Sequence, residues 1–65
     1  MNTRDQLKIL DAGFIIIRAD ESNLRIKAKT LARPEWHTYE KGFKSKAELR
    51  RRIKQLRDKW SIVED

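Results

Sequence analysis

One six-residue segment, FIIIRA, constrains the fold more than any other part of this chain. It runs from Phe14 to Ala19 and is rich in the β-branched and aromatic residues that favour strands. A strand with one solvated face alternates apolar and polar residues. Here Ile15 and Ile17 mark one face while Phe14 and Ile16 mark the other, so the segment predicts a strand that is apolar on both sides.

Two further strands are predicted after this segment. The polar residues 20–23 are typical of a hairpin turn. Residues 24–30 then alternate, with Leu24, Ile26 and Ala28 inward and basic residues outward. Pro34 breaks the pattern because it cannot donate to a strand ladder. Residues 36–43, WHTYEKGF, predict the third strand.

The two ends of the chain predict helices. Thr3 followed by Gln6 fits a capping box, and Gly13 is suited to end a helix over residues 4–12. Ser45 followed by Glu48 fits a second capping box, at the start of a longer helix. That helix carries a narrow apolar stripe of Leu49, Ile53, Leu56 and Trp60.

The element order α-β-β-β-α predicts an α+β fold, a three-stranded antiparallel sheet with two helices on one face. In that arrangement the first strand lies at an edge, although it is the most apolar strand. An exposed apolar edge pairs readily with another chain. We therefore expect Phe14 and Ile16 to lie under a homodimer interface or under the C-terminal tail, where Ile62 and Val63 can dock or add a short strand.

Length and composition limit the class of protein. Sixty-five residues predict a single small domain, residues 1–65. Because cysteine is absent, there is no disulfide framework and no thiolate for a metal, and no cofactor is predicted. The first ten residues are charged where a signal peptide has its apolar run, and no segment has membrane-spanning length. We expect a soluble, cytoplasmic protein with no membrane contact.

The net charge of the chain lies in one segment, residues 44–59. This segment holds eight basic and two acidic residues, and its net charge of +6 equals that of the whole chain. At 100° per residue, one flank of the predicted helix carries four cations with no acid between them: Lys46, Arg50, Lys54 and Arg57. This basic ridge could follow the phosphates of a nucleic acid, and the alternative is a solvated helix face.

A second group of cations, Arg25, Lys27 and Lys29, points outward from the second predicted strand. These residues could extend the basic surface, or they could simply protect the strand from pairing with other chains.

Few residues are suited to catalysis. His37 is the only histidine, so a metal site is not expected. A lone histidine beside Trp36 and Tyr39 favours a structural role over acid–base chemistry. The two aromatic residues point to opposite faces of their strand, and the outward one could stack on a nucleobase. We therefore predict a protein without catalytic residues.

Motifs at both ends of the chain match a known family pattern. They are Thr3-Arg4-Asp5-x-Leu7-Lys8-x-Leu10, then Ala12-Gly13-Phe14 with Arg18 four residues later, and Leu49-Arg50-x-x-Ile53-Lys54-Gln55. This pattern resembles HicA-like toxins. The resemblance implies an RNA-contacting fold with the α-β-β-β-α order of double-stranded RNA-binding domains. It also implies cleavage of messenger RNA and an antitoxin partner.

The chain departs from that family at the catalytic turn. Where the family has Gly-Ser-His, this sequence has Glu21-Ser22-Asn23. Asn23 cannot exchange a proton near neutral pH, so we expect the nuclease chemistry to be lost. Two shorter stretches resemble other proteins. Residues 42–48 are similar to the strand-to-helix junction of arm-type DNA-binding domains of phage integrases, and WHTYEKGFKSKA is similar to small uncharacterised bacterial proteins.

Three functions are compatible with the sequence. The first is a small non-enzymatic nucleic-acid-binding module that prefers RNA to DNA. The second is a protein-interaction or dimerisation module whose basic helix is solvated or meets an acidic partner. The third is a degenerate toxin-like nuclease that uses His37.

Overall fold

Two helices and four strands make up the part of the chain described by a computed structural model, residues 2–65. Residue 1 of the predicted domain lies outside the described residues. The predicted α+β class is confirmed. In chain order the elements are α1 (Thr3–Asp11), β1 (Ile15–Asp20), β2 (Arg25–Lys29), β3 (His37–Glu40), α2 (Lys46–Arg57) and β4 (Ile62–Glu64).

The four strands form one mixed sheet in the order β3-β2-β1-β4. β1 and β2 form an antiparallel hairpin, and β3 continues this meander with a bulge opposite Ile26 and Lys27. α2 then returns the chain across the sheet, and β4 pairs parallel to β1. The prediction of three antiparallel strands is therefore wrong, because the C-terminal tail adds a fourth, parallel strand.

β4 resolves the difficulty of an apolar edge strand. It pairs Val63 with Ile16 and makes β1 an internal strand. Ile16 is fully buried within the chain, so it is not available for the predicted dimer contact. Phe14 is half-buried and packs edge-on against Trp60, with ring centroids 6.2 Å apart. Of the two covers expected for β1, the tail is the one present.

The two helices lie on opposite faces of the sheet, which corrects the prediction that they share one face. Side chains alternate along a strand, so Ile16 and its partner Lys29 point away from Ile17 and Ala28. On α1, Gln6 accepts a hydrogen bond from Lys29 Nζ at 2.8 Å, which places α1 on the Ile16 face. Because β1 is apolar on both sides, each face needs a cover. The core on the α2 face consists of Ile17, Ile26, Ala28, Leu49, Ile53, Leu56 and Ile62.

The helix ends follow the predicted caps with two differences. α1 is capped by Asn2, whose Oδ1 accepts from the Asp5 amide at 2.9 Å, one residue before the predicted Thr3. α2 is capped by Ser45 as predicted, with the Glu48 amide donating to its hydroxyl at 3.2 Å. α2 ends before Trp60, which is 87 % exposed and therefore not part of the buried stripe.

Among residues 2–65, no helix is long and apolar enough to cross a membrane.

Candidate nucleic-acid interface

The basic ridge predicted on α2 is partly neutralised by acids from other elements. Arg50 forms ion pairs with Glu21 and with Glu64, the latter at 3.6 Å. Arg57 pairs with Glu64 at 3.1 Å. The ridge is therefore not free of acids, because the turn after β1 and strand β4 bring carboxylates to it. A helical wheel could not show this, since both acids lie outside the helix.

A third arginine fixes the other flank of α2. Both Arg52 Nε and Nη2 donate to the Glu40 carboxylate of β3 at 2.8 Å. These hydrogen bonds lower the pKa of Glu40 even though partial burial opposes the shift, and they raise the pKa of Arg52. The arginines nearest the sheet thus tie α2 to β3, to β4 and to the β1–β2 turn.

Three cations remain on the solvent side of α2, and we call Lys46, Arg51 and Lys54 the outer basic face. All three are exposed, and none forms an ion pair with another residue of the described chain. At 1.5 Å per residue they extend over about 12 Å of the helix axis. Lys46 and Lys54 belong to the predicted ridge. Arg51 was missed, although its position opposite the apolar stripe identifies it as solvent-facing.

The β2 cations do not extend this surface, because they lie on the other side of the sheet. Lys27 and Lys29 share the face of Ile16, which is the α1 face. Arg25 donates to Asp20 at 2.8 Å and to the Thr38 hydroxyl at 2.9 Å. The predicted set of seven cations is therefore divided between two opposite faces.

On the α1 face, three cations surround the indole ring of Trp36, and we call Arg18, Lys27, Lys29 and Trp36 the tryptophan cluster. The distances to the ring centroid are 4.8 Å for Arg18 Cζ, 5.9 Å for Lys27 Nζ and 4.7 Å for Lys29 Nζ. Such cation–π contacts are attractive because the ring face is electron-rich. Arg18 was missed in the sequence, although the hairpin register places it directly opposite Lys27.

The residues considered for catalysis have local structural partners. His37 Nδ1 lies 3.0 Å from the carbonyl oxygen of Glu35, so its Nδ1–H tautomer can donate to the backbone. Asn23 Nδ2 donates to Asp20 Oδ2 at 3.1 Å within the hairpin turn. In residues 2–65, no cluster of three His, Cys, Asp or Glu side chains is placed to hold a metal.

One open groove of about 200 Å³ lies beside α2. It borders the outer basic face through Arg51. No buried side-chain nitrogen or oxygen in the described chain lacks a hydrogen-bond partner, so none points to a missing ligand in this groove. The lining residues are Phe43, Glu48, Arg51, Arg52 and Gln55.

No family model, curated protein or solved structure matches this chain. The interface is therefore interpreted from its own geometry.

Proposed function

We propose that this chain is a non-enzymatic nucleic-acid-binding module that uses the outer basic face of α2. One observation supports this proposal above the others. The arginines nearest the sheet are occupied by carboxylates, whereas Lys46, Arg51 and Lys54 are exposed and form no ion pair within residues 2–65. Cations in this state can neutralise phosphates and release counterions.

The ion pairs between α2 and the sheet favour the same function. Arg52 holds one flank on Glu40, and Arg57 holds the other on Glu64. A helix fixed in this way presents its outer cations as a pre-organised set, which lowers the entropic cost of binding. The preference for RNA over DNA follows from the resemblance to HicA-like toxins and belongs to the proposal.

The absence of catalysis also belongs to the proposal. Asn23 stands at the histidine position of that family and is engaged by Asp20. His37, the residue on which a degenerate nuclease would depend, contacts a backbone carbonyl. If the module is non-enzymatic, RNA incubated with the protein remains intact. Cleavage that disappears in His37→Ala would favour the nuclease instead.

The test is a filter-binding titration of duplex RNA and duplex DNA at two salt concentrations. We expect binding that weakens steeply with salt and is tighter for RNA. Arg51→Gln with Lys54→Gln should make the salt dependence less steep. The negative slope of log K against log salt should shrink in magnitude by about 0.9 for each phosphate that the variant no longer neutralises.

The matched control is Arg4→Gln with Lys8→Gln. It removes the same two residue types from α1, where both side chains are exposed and form no ion pair in the described chain. We expect this pair to leave most of the binding intact. An equal loss of affinity in both double variants would show that net charge alone is responsible and would overturn the assignment to α2.

A protein-interaction module is the second candidate, because Trp60 is 87 % exposed beside the half-buried Phe14. An exposed tryptophan of this kind is frequent in protein interfaces. Sedimentation at high micromolar concentration tests self-association, and Trp60→Ala should abolish any dimer that depends on this contact.

A further inference from the structure

The tryptophan cluster places like charges next to one another on the α1 face of the sheet. Arg18 and Lys27 are direct cross-strand partners in the β1–β2 register. Lys29 lies two residues from Lys27 on the same face. Like charges directly opposite each other destabilise a sheet. The cations of the cluster therefore repel one another, and an anion bound between them would relieve this repulsion.

The contacts inside the cluster only partly offset this repulsion. Arg18 forms an ion pair with Asp65. Lys29 donates to the neutral side chain of Gln6 at 2.8 Å. The Lys27 ammonium forms no hydrogen bond or ion pair with the described residues, and it lies 5.9 Å from the Trp36 centroid. Neither lysine of the cluster therefore forms an ion pair with a carboxylate of the described residues.

We propose that this face is a second nucleic-acid site, and that it takes single-stranded RNA. A phosphate would be bound by Lys27 and Lys29, and a base would stack on the exposed part of the Trp36 ring. Cations combined with an aromatic ring are the usual elements of single-strand binding sites, because every base has a π face. The bases of a duplex are stacked inside and cannot reach the ring in this way.

The site is separate from the outer basic face of α2. The sheet lies between them, because α2 covers the Ile17 face while the cluster lies on the Ile16 face. The inference does not depend on the proposed role of α2, and the variants that test the two sites are different.

The experiment uses Trp60→Phe as background, so that Trp36 is the only tryptophan. Its fluorescence is titrated with a single-stranded uridine hexamer at low salt. We expect saturable quenching by the stacked base. Lys27→Gln should weaken the affinity about tenfold, the size expected for one charge-assisted contact, and should lower the salt slope by about 0.7.

Two comparisons separate binding from structure. Arg51→Gln with Lys54→Gln should leave the hexamer affinity within about twofold, since those residues lie across the sheet. Lys27→Gln should also unfold at an equal or higher temperature, because it removes the like charge opposite Arg18. A purely structural cluster predicts the reverse, a lower unfolding temperature with unchanged hexamer affinity, and that result would overturn the proposal.

Inorganic phosphate is the remaining comparison. We expect it to displace the hexamer only at concentrations at least a hundredfold above those at which the hexamer binds. If phosphate competes at the same concentration as the hexamer, the cluster is a simple anion site. That outcome, or the absence of any change in Trp36 emission, would overturn the proposal.

Discussion

At the scale of single residues, Asp20 has the clearest local role. Its Oδ2 accepts hydrogen bonds from Arg25 Nε at 2.8 Å and from Asn23 Nδ2 at 3.1 Å. It therefore joins the last residue of β1 to the turn and to the first residue of β2. Leu24, in the same turn, has a φ of +47°, a conformation that is costly for a residue with a side chain. Its packing against the core on the α2 face holds it there.

Asp20 makes the stability of the fold dependent on acid pH. Hydrogen bonds from Arg25, and next from Asn23, lower the pKa of Asp20 from 3.8 to about 2. The unfolded chain therefore takes up a proton at higher pH than the folded chain. The stabilisation is complete above about pH 4 and is lost as the pH falls towards 2. We expect Asp20→Asn to unfold at a lower temperature at neutral pH and to flatten the pH profile between 4 and 2.

Thermal unfolding followed by circular dichroism at closely spaced pH values measures this effect. Asp11→Asn is the control, because Asp11 is exposed and has no ion pair within the described chain. It should reproduce the acid profile of the unchanged protein. If Asp20→Asn keeps the full loss of stability between pH 4 and pH 2, Asp20 is not its source.

At the scale of the elements, the sequence predicted those features that depend only on residues close together in the chain. The β1–β2 hairpin follows from the FIIIRA segment and the alternation after it, and the Ser45 cap follows from its own spacing to Glu48. β4 is different, because it has three residues and each of them pairs with a β1 residue 47 positions earlier. The apolar residues Ile62 and Val63 allowed a short strand to be expected, but only the closed fold makes this pairing favourable, so its parallel direction could not be predicted from the local pattern.

For the site residues too, local features were predicted and contacts between distant residues were not. The helical projection of the predicted helix correctly identified Lys46 and Lys54 as exposed, because exposure on a helix follows its periodicity. It could not reveal that Arg50 meets Glu21, which lies 29 residues away. The placement of the two helices on opposite faces of the sheet was also not predicted, although a strand that is apolar on both sides already required a cover on each face.

β4 should contribute strongly to stability despite its length. Ile62 is almost fully buried in the core with Leu56 and pairs with Ile15. We expect Ile62→Ala to lower the free energy of unfolding by about 2–4 kcal/mol, because it reduces the buried apolar surface and leaves a cavity. Loss of β4 would also expose the edge of β1, so the variant should self-associate at lower concentration.

Urea unfolding and sedimentation measure the two effects. Leu31→Ala removes a comparable side chain that is 61 % exposed, and it should change stability by no more than about 0.5 kcal/mol. A similarly small effect for Ile62→Ala would mean that β4 does not help to hold the core.

At the scale of the whole molecule, charge is distributed over two faces of one thin sheet. The cations that form no ion pair within residues 2–65 include the outer basic face of α2 on one side and Lys27 and Lys29 on the other. The shorter dimensions of the molecule are only 21 and 19 Å. Two bound nucleic acids would therefore lie close together without sharing a surface.

This arrangement predicts that one chain can bind two nucleic acids at once. A duplex RNA on α2 and a uridine hexamer on the tryptophan cluster, each carrying one member of a donor–acceptor dye pair, should show energy transfer when the protein is added. Transfer should rise to a maximum and then fall with excess protein, because separate chains then hold the two probes. Lys27→Gln should reduce transfer while duplex binding remains, and Arg51→Gln with Lys54→Gln should reduce it while hexamer binding remains. Competition between the two probes for one chain would show instead that they share a single site.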